Sequence, residues 1–338
     1  MVSKLNMAVI GTGHMGRYHV NALASMEDVN LVGVCDVNEK VGMEVAEKYK
    51  TKYFKDIRDL FGRIDAAVVA VPTFLHYYVS SELIKRNIHV LVEKPITRSV
   101  RYAQKLIDLA DKKGVILQVG HIERFNGAVQ ELKNIIKKPY LMEAKRMGPV
   151  NKRIRDVGVV LDLMIHDLDV ILNLLDKQKE EIVYIGAAGV KIYSDYEDIA
   201  TATLVFSDSS VANLTASRAT ESKKRILQIS QEGSFIELDY STQDITISRQ
   251  ASSGYFISKD EIKYVQEALI EKVFVKKGDA LRSELRHFIN CVLGIEKPMF
   301  SNELDLKTHT VAKKIMNIIY SQWKTSFGTV PHFLLQTS

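Results

Sequence analysis

The segment from Met7 to Gly16, MAVIGTGHMG, constrains this chain more than any other, because an apolar run breaks at once into the spaced glycines Gly11, Gly13 and Gly16. A second apolar run, Leu31 to Cys35, then ends on a carboxylate, Asp36, twenty residues after the third glycine. In a βαβ unit the first glycine makes the tight turn off the strand. The second lets the main chain approach a pyrophosphate, and the third lets helix pack closely on strand. Phosphates then meet the unpaired N–H groups and positive dipole end of the helix. The loop Gly11, Gly13, His14, Met15 and Gly16 is therefore expected to hold a dinucleotide. Asp36 can accept hydrogen bonds from both ribose hydroxyls and would repel a 2′-phosphate. Val37 and Asn38 supply no arginine to neutralise one, so the sequence favours NAD over NADP. A second reading of Asp36 is a cap on the helix that begins near Glu39.

The pattern behind this segment is α/β. Apolar runs at Met7 to Ile10, Leu31 to Cys35, Ala66 to Val71, His89 to Val92 and Val115 to Val119 alternate with helical segments such as Val100 to Asp111, which specifies a parallel sheet with helices on both faces. After Gly120 the texture changes. Helices are expected over about Glu123 to Lys137 and Val159 to Leu175, with a strand through Tyr140 to Met147 between them. The stretch from about Ile182 to Ser248 reads as an antiparallel meander with turn residues between its strands. Two helices follow, about Asp279 to Leu293 and Leu304 to Trp323. At 338 residues, with 46% hydrophobic and 26% charged side chains, the chain supports two domains. These are expected to be a Rossmann domain over 1–120 and a substrate-binding and oligomerisation domain with a mostly antiparallel open sheet over 121–338.

Several partner classes are disfavoured. Cys35 in a predicted strand and Cys291 on a predicted helix offer neither a disulfide framework nor a cysteine-rich metal site, which fits a reduced cytoplasmic setting. No run approaches the ~18–20 apolar residues of a membrane span. The net charge of +5 comes from basic residues interleaved with acids, without a nucleic-acid reading motif.

Four further groups could carry chemistry. Val92-Glu93-Lys94-Pro95 ends an apolar run, and ligands of open α/β sheets lie beyond the carboxyl ends of strands. Lys94 there is a candidate proton donor or acceptor, or else a surface lysine before a proline turn. Asp162 and His166, with Asp169 beyond, share a helix face by spacing. A carboxylate one turn from an imidazole suits a general base, whereas a histidine among apolar residues is often a satisfied core residue. Pro72, Thr73 and His76 lie at a strand end and helix start, where Pro72 and Thr73 suit a turn and His76 is expected to face the site. His121, Arg124 and Asn126 stand at the junction of the two halves, where a cleft is expected. Ahead of the Asp162 helix, Lys152, Arg153 and Arg155 are either a diphosphate grip or a solvated loop.

In this order, the glycine fingerprint, Pro72-Thr73 with His76, Glu93-Lys94-Pro95, Gly120-His121 through Asn126, and Asp162 with His166 resemble the Gfo/Idh/MocA family of NAD(P)-dependent oxidoreductases over nearly the whole chain. The resemblance implies a Rossmann domain followed by an α/β domain whose open sheet packs against another subunit, giving a homodimer or homotetramer. It implies Lys94 beside the nicotinamide and the reacting carbinol, and Asp162 with His166 completing the acid/base group. Within the family, the wording Gly120-His121-Ile-Glu-Arg124-Phe-Asn126 most resembles members that oxidise nucleotide-linked amino sugars such as UDP-N-acetylglucosamine at C3, whose 3-keto product passes to an aminotransferase for lipid A or another surface glycan. Dehydrogenases of free sugars or inositol, and non-catalytic NAD(P)-sensing regulators, share the fold. Expected cofactor contacts are Gly11, Gly13, His14, Met15, Gly16, Asp36, Pro72, Thr73, His76, Glu93 and Lys94. Expected substrate contacts are His121, Arg124, Asn126, Lys152, Arg153, Arg155, Asp162 and His166.

Overall fold

The apolar runs of the first third become a parallel sheet. In a computed structural model, which describes residues 4–150, 157–174, 181–257 and 262–327, the chain runs through β1 (Leu5–Ile10), α1 (His14–Ala24), β2 (Val29–Cys35), α2 (Glu39–Lys48), β3 (Lys52–Phe54), β4 (Ala66–Val69), α3 (Thr73–Lys85), β5 (His89–Glu93), α4 (Val100–Lys113) and β6 (Leu117–Gly120). The six strands lie in the order β3-β2-β1-β4-β5-β6, all parallel, with the order reversing at β1. Local chemistry sets the helix limits. In α4, Ser99 Oγ caps Tyr102 N–H, Gly114 closes the end with φ 64°, and Ala103, Leu106, Ile107 and Ala110 are buried at three- and four-residue spacing. The three-residue edge strand β3 is too short to carry a sequence period, and the sequence reading lacks it.

The chain continues through α5 (Gly127–Ile135), β7 (Pro139–Met147), α6 (Ile165–Leu174), β8 (Ile182–Val190), β9 (Ile199–Phe206), β10 (Val211–Ser217), β11 (Lys224–Gln231), β12 (Ser234–Asp239), β13 (Asp244–Ile257), β14 (Ile262–Lys272), α7 (Ala280–Val292) and α8 (Asn302–Phe327). The second sheet has eight strands in the order β14-β13-β12-β11-β7-β10-β9-β8. It is antiparallel except at the β10–β7 pair. It is thus not a simple meander, because β7 inserts between β10 and β11. Along β7, β9 and β10 buried positions (Met142, Ala144, Ala200, Ala202, Leu204, Ala212, Leu214) alternate with more exposed ones such as Thr201, Thr203, Asn213 and Thr215. That is the pattern of a sheet covered on one face only. Its second face carries cross-strand polar pairs, Thr203 with Asn213 and Gln228 with Glu237.

Two compact units result, one from Met1–Phe125 with Asp279–Thr310, the other from Asn126–Gly278 with Val311–Ser338. The units are therefore not consecutive blocks of chain. The reason lies in the first sheet, which buries both faces. Ala8, Ile10, Ala67, Val69, Val90 and Val92 pack with Leu83, Ile84, Leu106 and Ile107 of α3 and α4. Met7, Val9, Val34, Ala66, Val68 and Leu91 face the other way, onto Val20, Leu23, Val45 and Ala46 and onto Leu281, Leu285, Phe288 and Ile289 of α7. Those four α7 side chains, at ~1.5–3 kcal/mol each, contribute on the order of 10 kcal/mol to the first unit, and Phe288→Ala alone would cost about 3–5 kcal/mol.

Candidate active site

The glycine loop has the geometry its spacing implies. Gly11 adopts φ +91°, and a Cβ on it would lie 2.5 Å from the Ala70 carbonyl oxygen; one on Gly16 would lie 1.9 Å from the Gly11 oxygen. Both positions exclude a side chain. Around Gly13, by contrast, a Cβ would meet no atom within 4 Å, so close packing within the chain does not account for that glycine. Gly13 is the N-cap of α1 and gives it no side-chain cap. Open room beside the uncapped end of an eleven-residue helix fits a pyrophosphate. His14 and Met15 form the first turn of that helix, with His14 edge-on to Tyr18 at 5.0 Å.

Asp36 follows β2, and its carboxylate faces the glycine loop. Oδ2 accepts from Thr12 N and Thr12 Oγ1, both at 2.7 Å, and Oδ1 accepts from Asn38 N at 2.8 Å. The α2 cap is Asn38, whose Oδ1 accepts from Val41 N, so the capping alternative for Asp36 does not hold. Thr12, between the first two glycines, ties the two halves of the dinucleotide motif together.

At the end of β5 the side chains part. Lys94 is half-buried, whereas Glu93 turns inward, its Oε1 2.7 Å from Nε2 of the fully buried His19 on α1. Burial alone would raise the Glu93 carboxyl, but the hydrogen bond and charge of His19, with Lys94 and His76, hold it below the ordinary range. Glu93 is accordingly a buried partner of α1. His76 is likewise held by internal partners. It is 1% exposed, with Nδ1 2.8 Å from the Pro95 oxygen and Nε2 2.8 Å from the Val71 oxygen. The ring braces the turns after β4 and β5 and does not face outward. Burial pushes its pKa down against the pull of the two carbonyls. Pro72 is the N-cap of α3 and Thr73 its first residue.

Two further expected contacts are internal. Arg124 is 2% exposed, with Nη2 2.6 Å from Asp305 Oδ1 and its guanidinium 4.6 Å from the Phe300 ring centre. His121 Nε2 stands 3.9 Å from the same Asp305 oxygen. The Arg124 side chain is thus engaged by a buried carboxylate and an aromatic face. Asn126 caps α5, its Oδ1 accepting from Ala128 N while Nδ2 donates to the Tyr240 oxygen. Asp305 and Glu284 escaped the sequence reading. Glu284 on α7 is buried, and burial together with the Glu93 charge raises its carboxyl well above the ordinary range.

In the second unit the expected helix is present, but its first turn, Val160–Met164, is π-helical and carries Asp162, and α6 with His166 follows directly. A π turn takes more residues than the 3.6 of an α turn, so residues four apart still stand nearly one above the other. Asp162 and His166 are half-buried. Asp169 is buried, and Asp167 makes a two-pronged ion pair with Arg146, both contacts at 2.9 Å. Lys152, Arg153 and Arg155 lie outside the described residues.

Comparison with known proteins gives this arrangement its context. Residues 5–121 match the model of an oxidoreductase family with an NAD-binding Rossmann fold, and residues 127–236 match the GFO/IDH/MocA C-terminal domain. The chain is 31% identical to a UDP-N-acetylglucosamine 3-dehydrogenase of Acidithiobacillus ferrooxidans, over 88% of this chain and 91% of that protein. It is 27% identical to an NAD(+)-dependent scyllo-inositol 2-dehydrogenase of Bacillus subtilis, over 89% and 90% of the two chains. A solved structure of the Acidithiobacillus ferrooxidans enzyme superposes with a TM-score of 0.84, covering 94% of this chain and 98% of that one. Fold, glycine loop and sequence relationship agree, and the chain belongs to the Gfo/Idh/MocA family of NAD-dependent oxidoreductases that act on CH–OH groups.

Proposed function

We propose that this protein oxidises a secondary hydroxyl, at C3, of a nucleotide-linked amino sugar such as UDP-N-acetylglucosamine, yielding a 3-keto sugar. The observation that carries this reading is the 31% identity to a UDP-N-acetylglucosamine 3-dehydrogenase over 88% of the chain. Bound NAD supplies the hydride acceptor. The protein's own share is to bind, orient and move one proton. Gly11 and Gly16 shape the loop and Gly13 leaves room for the pyrophosphate at the start of α1, with His14, Met15, Pro72 and Thr73 beside it, and Asp36 receives the ribose hydroxyls. His166 takes the hydroxyl proton at an imidazole nitrogen as hydride leaves the same carbon. Asp162, one turn before it, stabilises the imidazolium. Lys94 donates a hydrogen bond to the reacting oxygen and so assists transfer of that one proton to His166. His121 orients the sugar, and Lys152, Arg153 and Arg155 hold the diphosphate by charge-assisted hydrogen bonds. The one-sided sheet of the second unit pairs subunits into a homodimer or homotetramer, and an aminotransferase consumes the keto product.

A dehydrogenase of a free polyol is the second reading, favoured by the relationship to the scyllo-inositol enzyme. Turnover assays with NAD separate the two. UDP-N-acetylglucosamine should reduce NAD at least a hundredfold more efficiently than N-acetylglucosamine or myo-inositol, since two charge-assisted contacts at about 1.5–3 kcal/mol each amount to that factor or more. Equal rates on myo-inositol, with no inhibition by UDP, select the polyol reading.

A further inference from the structure

The π turn that carries Asp162 is fastened at its start by one distant residue. The first N–H groups of a helix have no partner within it. Here two of them find the same partner, since Val159 N donates to the main-chain oxygen of Glu197 at 2.9 Å and Val160 N donates to Glu197 Oε1 at 3.1 Å. The other carboxyl oxygen, Oε2, accepts from the hydroxyl of Tyr320 on α8. Glu197 and Tyr320 are 0% and 1% exposed. The fit is tight, for a Cβ on Gly158 would lie 2.1 Å from the Glu197 carboxyl carbon and Oε1. The next residue extends the clamp. Asp198 accepts from Ile192 N and Tyr193 N and pairs with Arg218, whose Nη1 donates to the Val157 oxygen at 3.0 Å.

We propose that Glu197 is a positioning residue for the acid/base group: by holding Val159 and Val160, it sets the π turn and thereby the placement of Asp162 and His166. It acts through the backbone and touches no reacting atom. Burial raises the Glu197 carboxyl, against the hydrogen bonds from Tyr320 and Val160 that lower it. An amide keeps the acceptor oxygen that Val160 N needs, and its N–H can donate to the Tyr320 hydroxyl oxygen, so Glu197→Gln should preserve the clamp and Glu197→Ala should release it. The π turn is the mechanical link. A π insertion persists only where the surroundings impose it, and displacement of a reacting group by about 1 Å costs on the order of a hundredfold in rate.

The proposal rests on the assignment of Asp162 and His166 above, so the test pairs turnover with a measurement that needs no turnover. In full-length protein carrying ring-labelled histidine, the His166 resonance is identified by its loss in His166→Asn and titrated by NMR in wild type, Glu197→Gln and Glu197→Ala. Glu197→Ala should move the His166 resonance and its titration midpoint, lower kcat about 10- to 100-fold, shift the acid limb of the kcat/KM profile, and leave the Kd for NAD within about twofold. Glu197→Gln should stay within about threefold of wild type with His166 titrating normally. Where Glu197→Ala does not fold, Tyr320→Phe, which deletes one hydrogen bond, carries the same test at smaller amplitude. A His166 titration unmoved in the folded Ala and Phe variants, or a Gln variant as impaired as Ala, overturns the proposal. If wild type oxidises none of the carbinols tested, the functional reading fails, and the NMR titration still decides the role of Glu197.

Discussion

Arg124→Met distinguishes a structural arginine from one that grips substrate. Arg124 and Asp305 are 2% and 4% exposed, and Nη2 lies 2.6 Å from Oδ1. Removing one partner of a buried pair leaves an uncompensated charge and costs about 3–5 kcal/mol. Loss of the guanidinium from the Phe300 face, 4.6 Å away, adds about 1 kcal/mol. The ion-pair term alone, at roughly 2–4 °C per kcal/mol, lowers Tm by roughly 6–20 °C. His121 Nε2 stands 3.9 Å from the same carboxylate oxygen. The assay is differential scanning calorimetry of the intact chain without ligands. The double variant Arg124→Met/Asp305→Leu should recover most of the loss, since apolar pairs of similar volume often replace buried ion pairs without net cost. A Tm within about 2 °C of wild type, with a raised KM for the sugar nucleotide, would refute the structural assignment and return Arg124 to the substrate.

Further predictions concern cofactor, chemistry and acid stability. NAD should bind more tightly than NADP, Asp36→Ala should narrow the gap, and Thr12→Val, which removes a 2.7 Å hydroxyl donor from Asp36, should weaken NAD binding by up to about tenfold; titration calorimetry that ranks NADP first would reject the role of Asp36. Lys94→Ala and His166→Ala should each lower kcat by about 10² to 10⁴ with little change in NAD affinity, and normal turnover by His166→Ala at neutral pH would remove it from the reaction. Burial works to raise Asp198, yet the N–H groups of Ile192 and Tyr193 and the Arg218 side chain hold its carboxyl down to about 2 from an ordinary 3.8. The stability it lends is therefore complete above about pH 4 and lost as pH falls toward 2. The Tm gap between wild type and Asp198→Asn should close through that window, and a constant gap would contradict it.

The sequence carried the parallel sheet and the glycine loop because both rest on local chemistry. An unbroken apolar run such as Ala66 to Val71, short and followed by Pro72, fits a strand buried on both faces, and the turn at Gly11, with φ +91°, favours glycine. It was less informative about residues whose role is set by a distant partner. Arg124, Asn126, Glu93 and His76 read as site residues from their places at strand ends and at the junction of the two halves. Their partners Asp305, Tyr240, His19 and the Val71 and Pro95 carbonyls are fixed only by the tertiary fold. Spacing alone puts Asp162 and His166 on one helix face, but the π turn beneath Asp162 meets Glu197, which no period within residues 158–166 encodes. The return of α7 to the first sheet was hidden for the same reason, since an amphipathic helix does not declare which sheet it covers.

That return governs the order in which the protein can be made. A ribosome releases the six parallel strands early, yet the face formed by Met7, Val9, Val68 and Leu91 waits for Leu281, Leu285, Phe288 and Ile289, which emerge only after all of Asn126–Gly278 has been synthesised. Until then the nascent nucleotide-binding half exposes apolar surface worth on the order of 10 kcal/mol when covered. The second unit is incomplete for longer still, because its segment from Val311 onward is made after α7, and the loop-closure cost of joining such distant segments grows only slowly with length. An excised fragment ending at Phe125 should accordingly be sticky and protease-sensitive, and a synthetic α7 peptide supplied in trans should protect it.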